Sequence, residues 1–244
     1  MVTDSFIELI QKNKLTHEGE FFDYETPLVT VDIVLCSVID NKLKVLLIKR
    51  LRPPFEHQWA IPGGFIHVGE TLEEAAKRRL GEETNVENVF LEQLGAFGAT
   101  DRDPRARVIT VGYFALVSAD KLVNIEAHAN AEDVGWFCVS ELPALAFDHE
   151  SIVGLALRRL KAFLSTSPVA FQLLPDKFTL TELQKVYELI LEKPLDKRNF
   201  RKKIISSNIL LDTGETKMDG YHRPAQLFSF HHKEGVDLAA YAVS

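Results

Sequence analysis

The chain of 244 residues is 46% hydrophobic and 26% charged, the balance of a globular protein with a real core, and its length accommodates one or two domains. The net charge of −7 argues against a uniformly basic nucleic-acid binder. No apolar run approaches the roughly 20 residues that a membrane span needs, and the mixed-charge N-terminus lacks the pattern of a secretory signal, so the expected compartment is the cytoplasm.

In chain order, Phe6, Ile7 and Ile10 stand at helical spacing and predict a short helix over 4–14. LVTVDIVLCSVI and KLKVLLIKR then read as a pair of strands joined by the turn residues Asp40, Asn41 and Lys42. The stretch RPPFEHQWAIPGGF carries three prolines and two glycines and reads as loop. Residues 71–84 are rich in helix formers, with Thr71 and Glu74 spaced for a capping box. Strands are expected at 89–99, 107–118 and 134–138, followed by an amphipathic helix whose apolar side is Ile152, Leu155, Ala156 and Leu160. Cys36 and Cys138 lie in apolar strand-like runs and read as buried thiols rather than a disulfide or a metal pair.

An α/β domain therefore spans residues 1–164, and STSPVAFQLLP reads as a junction to a second unit, 165–244. The charge divides at the same place, with 11 basic and 10 acidic residues in 165–244 and a balance of −8 before them. Thr179 and Glu182 make a second capping box opening a helix that stops before Pro194. A second helix, LDKRNFRKKIISS, follows closely, and then two strand-like runs flank a Gly- and charge-rich tip. Helix, tight connection, basic helix and hairpin is the order of a winged helix-turn-helix.

Two constellations carry chemistry. The first is GFIHVGETLEEAAKRRLGEETNV, residues 64–86, which resembles the Nudix box with Gly64, Glu70, Arg78, Leu80, Glu82, Glu83 and Val86 in register. The resemblance covers roughly residues 28–160 and implies an α/β/α sandwich built on a mixed sheet. Glycines let backbone groups approach a diphosphate, and carboxylates on one helix face are hard oxygen ligands of the kind that hold Mg²⁺, which makes Glu82 and Glu83 the candidate metal ligands. Arg78 would orient a carboxylate or meet phosphate through its planar fork. Arg79 stands where the family has glutamate, and Asn85 where it has glycine. Asparagine tolerates the left-handed conformation, so the second change is mild. The first removes a ligand and adds a cation: unit charges about 4 Å apart interact by about 4 kcal/mol at an effective dielectric near 20. A weakened Mg²⁺ site with slow or absent hydrolysis follows, while Arg79 itself is suited to a diphosphate. FGATDRDPRARVITVGYFAL is similar to a segment of ADP-ribose pyrophosphatases, and the resemblance places Arg102 and Arg107 beside the bound nucleotide, with Arg105 between them and Arg50 ending the strand pair. In hydrolases a glutamate before the last strand acts as base, which makes Glu132 the candidate here.

The second constellation is the basic helix, in which five of residues 197–203 are Lys or Arg. Phe200 and Ile204 share one side, with Arg198, Arg201 and Lys202 largely on the other. Lys197, Arg198, Arg201 and Lys202 are candidate DNA contacts, Asn199 a candidate adenine reader, and Lys217, His222 and Arg223 lie at the hairpin tip or its return. KFTLTELQKVYELILEKPLDKRNFRKKI with DTG and RPAQLF resembles the C-terminal domain of Nudix-related transcriptional regulators, the NrtR family, with His222 where glycine is expected before RPA. That resemblance covers nearly the whole chain. It implies a homodimer bound to a double-stranded palindromic operator in genes of NAD metabolism and responsive to ADP-ribose or a related nucleoside diphosphate, some relatives sensing sugars instead. No cofactor is required for this activity, and Mg²⁺ enters only with hydrolysis. The rival expectation is a Mg²⁺-dependent ADP-ribose pyrophosphatase whose C-terminal unit serves protein contacts.

Overall fold

The computed structural model describes residues 16–17, 20–21, 26–86, 89–122, 131–218 and 224–231. The helix expected over 4–14 and the hairpin residues His222 and Arg223 lie outside these. The described elements are β1 (Thr16–His17), β2 (Glu20–Phe21), β3 (Leu28–Ile39), β4 (Lys42–Arg50), β5 (Trp59–Ala60), β6 (Gly63–Phe65), α1 (Leu72–Thr84), β7 (Phe90–Phe97), β8 (Val108–Leu116), β9 (Ala131–Cys138), α2 (His149–Phe163), β10 (Phe178–Thr179), α3 (Leu180–Leu191), α4 (Lys197–Ser206), β11 (Leu210–Lys217) and β12 (Ala225–Phe230). No described helix is long and apolar enough to cross a membrane.

Seven strands form one mixed sheet in the order β5-β4-β3-β8-β7, with β6 added to β3 and β9 to β4. β3 runs parallel to β8 and antiparallel to β4 and β6. Alternation along β3 sorts its side chains to two faces. Val31, Ile33 and Leu35 pack with Ala75, Ala76 and Leu80 of α1. Val34 and Cys36 pack with Ile152, Val153, Ala156 and Leu160 of α2. The result is the three-layer sandwich. Thr71 and Glu74 form both bonds of the capping box, and α1 ends on Asn85 at φ 58°, the left-handed cap foreseen for asparagine.

The second unit is a three-stranded antiparallel sheet, β10-β12-β11, against α3 and α4. Thr179 and Glu182 cap α3 reciprocally, and the Asp196 side chain caps α4 by accepting from Asn199 N. Phe200 and Ile204 are buried, and Phe200 meets Tyr187 of α3 edge-on at 5.4 Å.

The stretch read as a junction is packed into the core: residues 168–173 form a 3₁₀ helix, and Val169, Ala170, Phe171, Leu173 and Leu174 belong to the apolar cluster that also holds Leu160 of α2 and Val186 of α3. Five apolar residues in seven are too costly to leave in water, so the segment packs between the units instead of spanning a gap. Cys36 is buried as expected, but Cys138 is only half-buried, because β9 lies at the border of the sheet, where its sulfur meets the Ser140 hydroxyl at 3.1 Å.

Candidate functional site

The glycine-rich segment and α1 meet where β6 joins β3. A Cβ on Gly64 would lie 2.6–2.9 Å from Nε, Cζ and Nη2 of Arg79, so the guanidinium lies directly against this glycine. Arg78, one residue earlier, reaches Glu70 with two bonds, Nε to Oε2 at 2.9 Å and Nη2 to Oε1 at 2.5 Å. It also reaches Glu82 Oε2 at 3.1 Å and the Phe65 carbonyl at 3.3 Å. Those bonds, Arg78's foremost, hold the Glu70 carboxyl down at about 2. Among the described residues Arg79 makes only long contacts, Nη1 to Glu82 Oε2 and Nη2 to the Phe65 carbonyl, each 3.4 Å, and its buried Nε has no partner there. Glu83 is buried and accepts from Gly63 N at 3.0 Å. Burial pushes its carboxyl up to about 7, against the Gly63 bond and Arg79, which act downward.

A Nudix box implies Mg²⁺, and the donor set does not fit one. Each of the three carboxylates already has an engagement: Glu70 with Arg78, Glu82 with both arginines, and Glu83 with a backbone amide while resisting ionisation. Among the described residues no group of three His, Cys, Asp or Glu is placed to hold a metal. The cation of Arg79 stands among these acids, where a divalent ion would meet repulsion.

Beyond the box, the arginines expected at the nucleotide have other partners. Arg102 is buried, with Nε and Nη2 on the Asp148 carboxylate at 2.9 and 2.6 Å and Nη2 also on Asp32 Oδ2 at 3.2 Å. Arg107 holds the turn before β8 through the carbonyls of Gly98 and Ala99. Arg50 donates to the carbonyls of Pro54 and Arg52 and lies 4.8 Å from the Phe147 ring centre. Arg105 pairs with Asp103 and lies over Phe65 and Phe147 at 5.6 and 5.9 Å. Glu132 is in β9 rather than in the loop before it. There it accepts from His57 Nδ1 at 2.7 Å and Lys49 Nζ at 3.3 Å, and those bonds, His57's first, lower its pKa and make it a weaker base.

Sequence reasoning missed three members of this corner: Asp32, Asp148 and His149. His149 is buried, accepts from Ile61 N at 3.1 Å through Nδ1 and lies 3.7 Å from Asp32 through Nε2; burial lowers its pKa and keeps it neutral. The available signal was Asp32 itself, a lone charge inside an apolar strand run, which demands a partner.

The second site is α4. Lys197, Arg198, Asn199 and Lys202 are exposed, and of these Arg198, Asn199 and Lys202 lie on the side away from the buried Phe200 and Ile204. Arg201 is half-buried and donates to the Thr181 hydroxyl at 3.2 Å, and Lys217 on β11 bonds Glu182 at 2.7 Å. With Lys185 and Lys197 these two cations border a cleft of about 970 Å³ lined by α3, α4, the hairpin strands and, from the first unit, Val38, Asn41, Ala119 and Asp120. Exposed cations beside a cleft match the chemistry of a phosphate backbone, and Arg198 and Asn199 are types that read base edges.

Residues 29–156 match the NUDIX domain family, and residues 170–230 match the family described as NrtR DNA-binding winged helix domain. The chain is 37% identical over 212 residues to the ADPR responsive transcriptional repressor NtrR of Acinetobacter baylyi, covering 85% of this chain and 84% of that one. It resembles Shewanella oneidensis NrtR crystallised with a 27mer DNA, with a TM-score of 0.75 and 37% identity over 87% of this chain and 96% of that one. The NUDIX domain of Shewanella oneidensis NrtR, crystallised with ADP ribose, matches at a TM-score of 0.51 and 39% identity over 56% of this chain and 90% of that one. With both domains present in the same order, this chain belongs to the NrtR family of Nudix-related transcriptional regulators.

Proposed function

We propose that the protein is a DNA-binding transcriptional regulator, acting on genes of NAD-related metabolism, that senses ADP-ribose or a similar nucleoside diphosphate through its Nudix site. The observation that carries this reading is the exposed side Arg198, Asn199 and Lys202 on a helix whose other face, Phe200 and Ile204, is buried in the core. The effector half rests on the cationic glycine-rich loop around Gly64 and Arg79 and on likeness to the ADP ribose-bound relative. The protein acts in the cytoplasm as a homodimer, whose two winged helices meet half-sites about 34–36 Å apart or multiples of this. Effector binding changes operator affinity by changing their spacing.

The test is fluorescence anisotropy of the full chain on palindromic fragments from its genomic neighbourhood, with and without ADP-ribose at fixed salt. Specific binding altered by the nucleotide is the expected outcome. Specific binding that ADP-ribose leaves unchanged would overturn the sensor half. No specific binding under any condition would overturn the regulator reading altogether.

A further inference from the structure

We infer that the Arg79 guanidinium takes the place of the divalent cation in this Nudix site, so that the effector's diphosphate is held without metal. This rests on the reading of the site as a nucleoside diphosphate sensor and deepens it.

The argument begins with two neighbouring arginines on one helix. Arg78 has four bonds to Glu70, Glu82 and the Phe65 carbonyl, from 2.5 to 3.3 Å, and holds the loop in place. Arg79 shares two of the same acceptors, Glu82 and the Phe65 carbonyl, but at 3.4 Å, near the limit for such bonds, and its buried Nε has no partner among the described residues. A buried donor left unsatisfied is a standing cost that a new acceptor removes. The guanidinium lies directly against Gly64, in space that any other side chain there would fill. A planar fork beside a glycine-rich loop fits the paired oxygens of a diphosphate, and its charge is permanent.

The surrounding acids support the same conclusion. Glu82 carries two arginines, and Glu83 is buried against Gly63 N. A metal ion would have to displace those contacts and sit beside a fixed cation. A diphosphate needs only to strengthen the weak contacts of Arg79.

The experiment uses the full chain. Calorimetric titration with ADP-ribose is made in EDTA and again in millimolar Mg²⁺, on the unaltered protein, Arg79→Ala and Arg79→Glu. Mn²⁺ is titrated separately by electron paramagnetic resonance without nucleotide. The unaltered protein is expected to bind ADP-ribose equally in both buffers, within about twofold, and to take up no Mn²⁺ at the site below millimolar. Arg79→Ala is expected to lose at least tenfold in affinity in EDTA, and Arg79→Glu to acquire a Mn²⁺ site together with Mg²⁺-dependent binding. Tenfold tightening of the unaltered protein by Mg²⁺, or its uptake of Mn²⁺ at micromolar concentration, would overturn this inference while leaving the sensor reading intact. A folded Arg79→Ala protein with undiminished affinity would overturn it too. Binding of operator DNA with no ADP-ribose binding in either buffer would overturn the effector reading, and the diphosphate half of this inference with it.

Discussion

Glu83 is a carboxyl whose environment changes its acidity, and the consequence can be measured. Burial raises it to about 7 in the folded chain from an ordinary value of 4.5, while Gly63 N and Arg79 act downward and Asp32 and Glu82 upward. Between those values the folded chain holds a proton that the unfolded chain has released. Stability therefore falls as pH rises from 4.5 to 7 and stays at its lower level above, by on the order of 3 kcal/mol at 1.36 kcal/mol per unit. His149 acts in the opposite sense. Its lowered pKa leaves it neutral when folded, so below its ordinary value of 6.5 the unfolded chain binds the extra proton and stability falls with falling pH. The difference between the unaltered chain and Glu83→Gln isolates the first effect: urea unfolding from pH 4.5 to 8 should show the variant gaining on the parent as pH rises. A constant difference across the range would mean that Glu83 titrates normally.

At the scale of the element, α4 separates what holds the fold from what meets DNA. Phe200 is fully enclosed, so Phe200→Ala should cost about 3–5 kcal/mol of stability. Arg198 is exposed, so Arg198→Ala should leave stability within about 0.5 kcal/mol while weakening specific operator binding by about 1–3 kcal/mol. Chemical denaturation and anisotropy on the same two variants check both statements. Arg201 falls between these cases, because its Nη2 bonds Thr181 across to α3. Arg201→Ala should reduce affinity for specific and unrelated DNA alike and flatten the salt dependence by about one unit, the sign of a phosphate contact. A loss confined to the specific operator would identify it as a base reader instead. The capping boxes were legible from Thr71–Glu74 and Thr179–Glu182 alone, since a cap is a contact three residues long.

For the whole molecule, the segment between the two units decides how the chain melts. Val34 of β3, Leu160 and Leu164 around the end of α2, Phe171 of the 3₁₀ helix and Tyr187 of α3 belong to one continuous apolar cluster. Exposing either unit alone would open that cluster to water, so calorimetry should show one transition with calorimetric and van't Hoff enthalpies in agreement. Leu164→Ala should lower its midpoint at a cost of about 2–5 kcal/mol without splitting it. Two resolved transitions in the unaltered chain would show that the units fold independently.

The sequence by itself determined the local structure. Apolar, β-branched runs bounded by turn residues placed the strands, helical spacing sorted Phe200 and Ile204 from Arg198, Arg201 and Lys202 of α4, and the register of Gly64 to Val86 identified the box with Arg79 standing where the family has an acid. Each of these is written in neighbours a few residues apart. Only the tertiary structure decided the contacts made at long range. Arg102 meets Asp148 and Asp32, 46 and 70 residues away, and is buried between them. Glu83 meets Gly63 N, 20 residues back, and Arg79 comes to lie against Gly64. The run 168–174 is buried because apolar surface from both units closes over it. No periodicity encodes such pairings. They exist only once the sheet has brought distant segments together, and burial then fixes which charges are partnered and which remain available to a ligand.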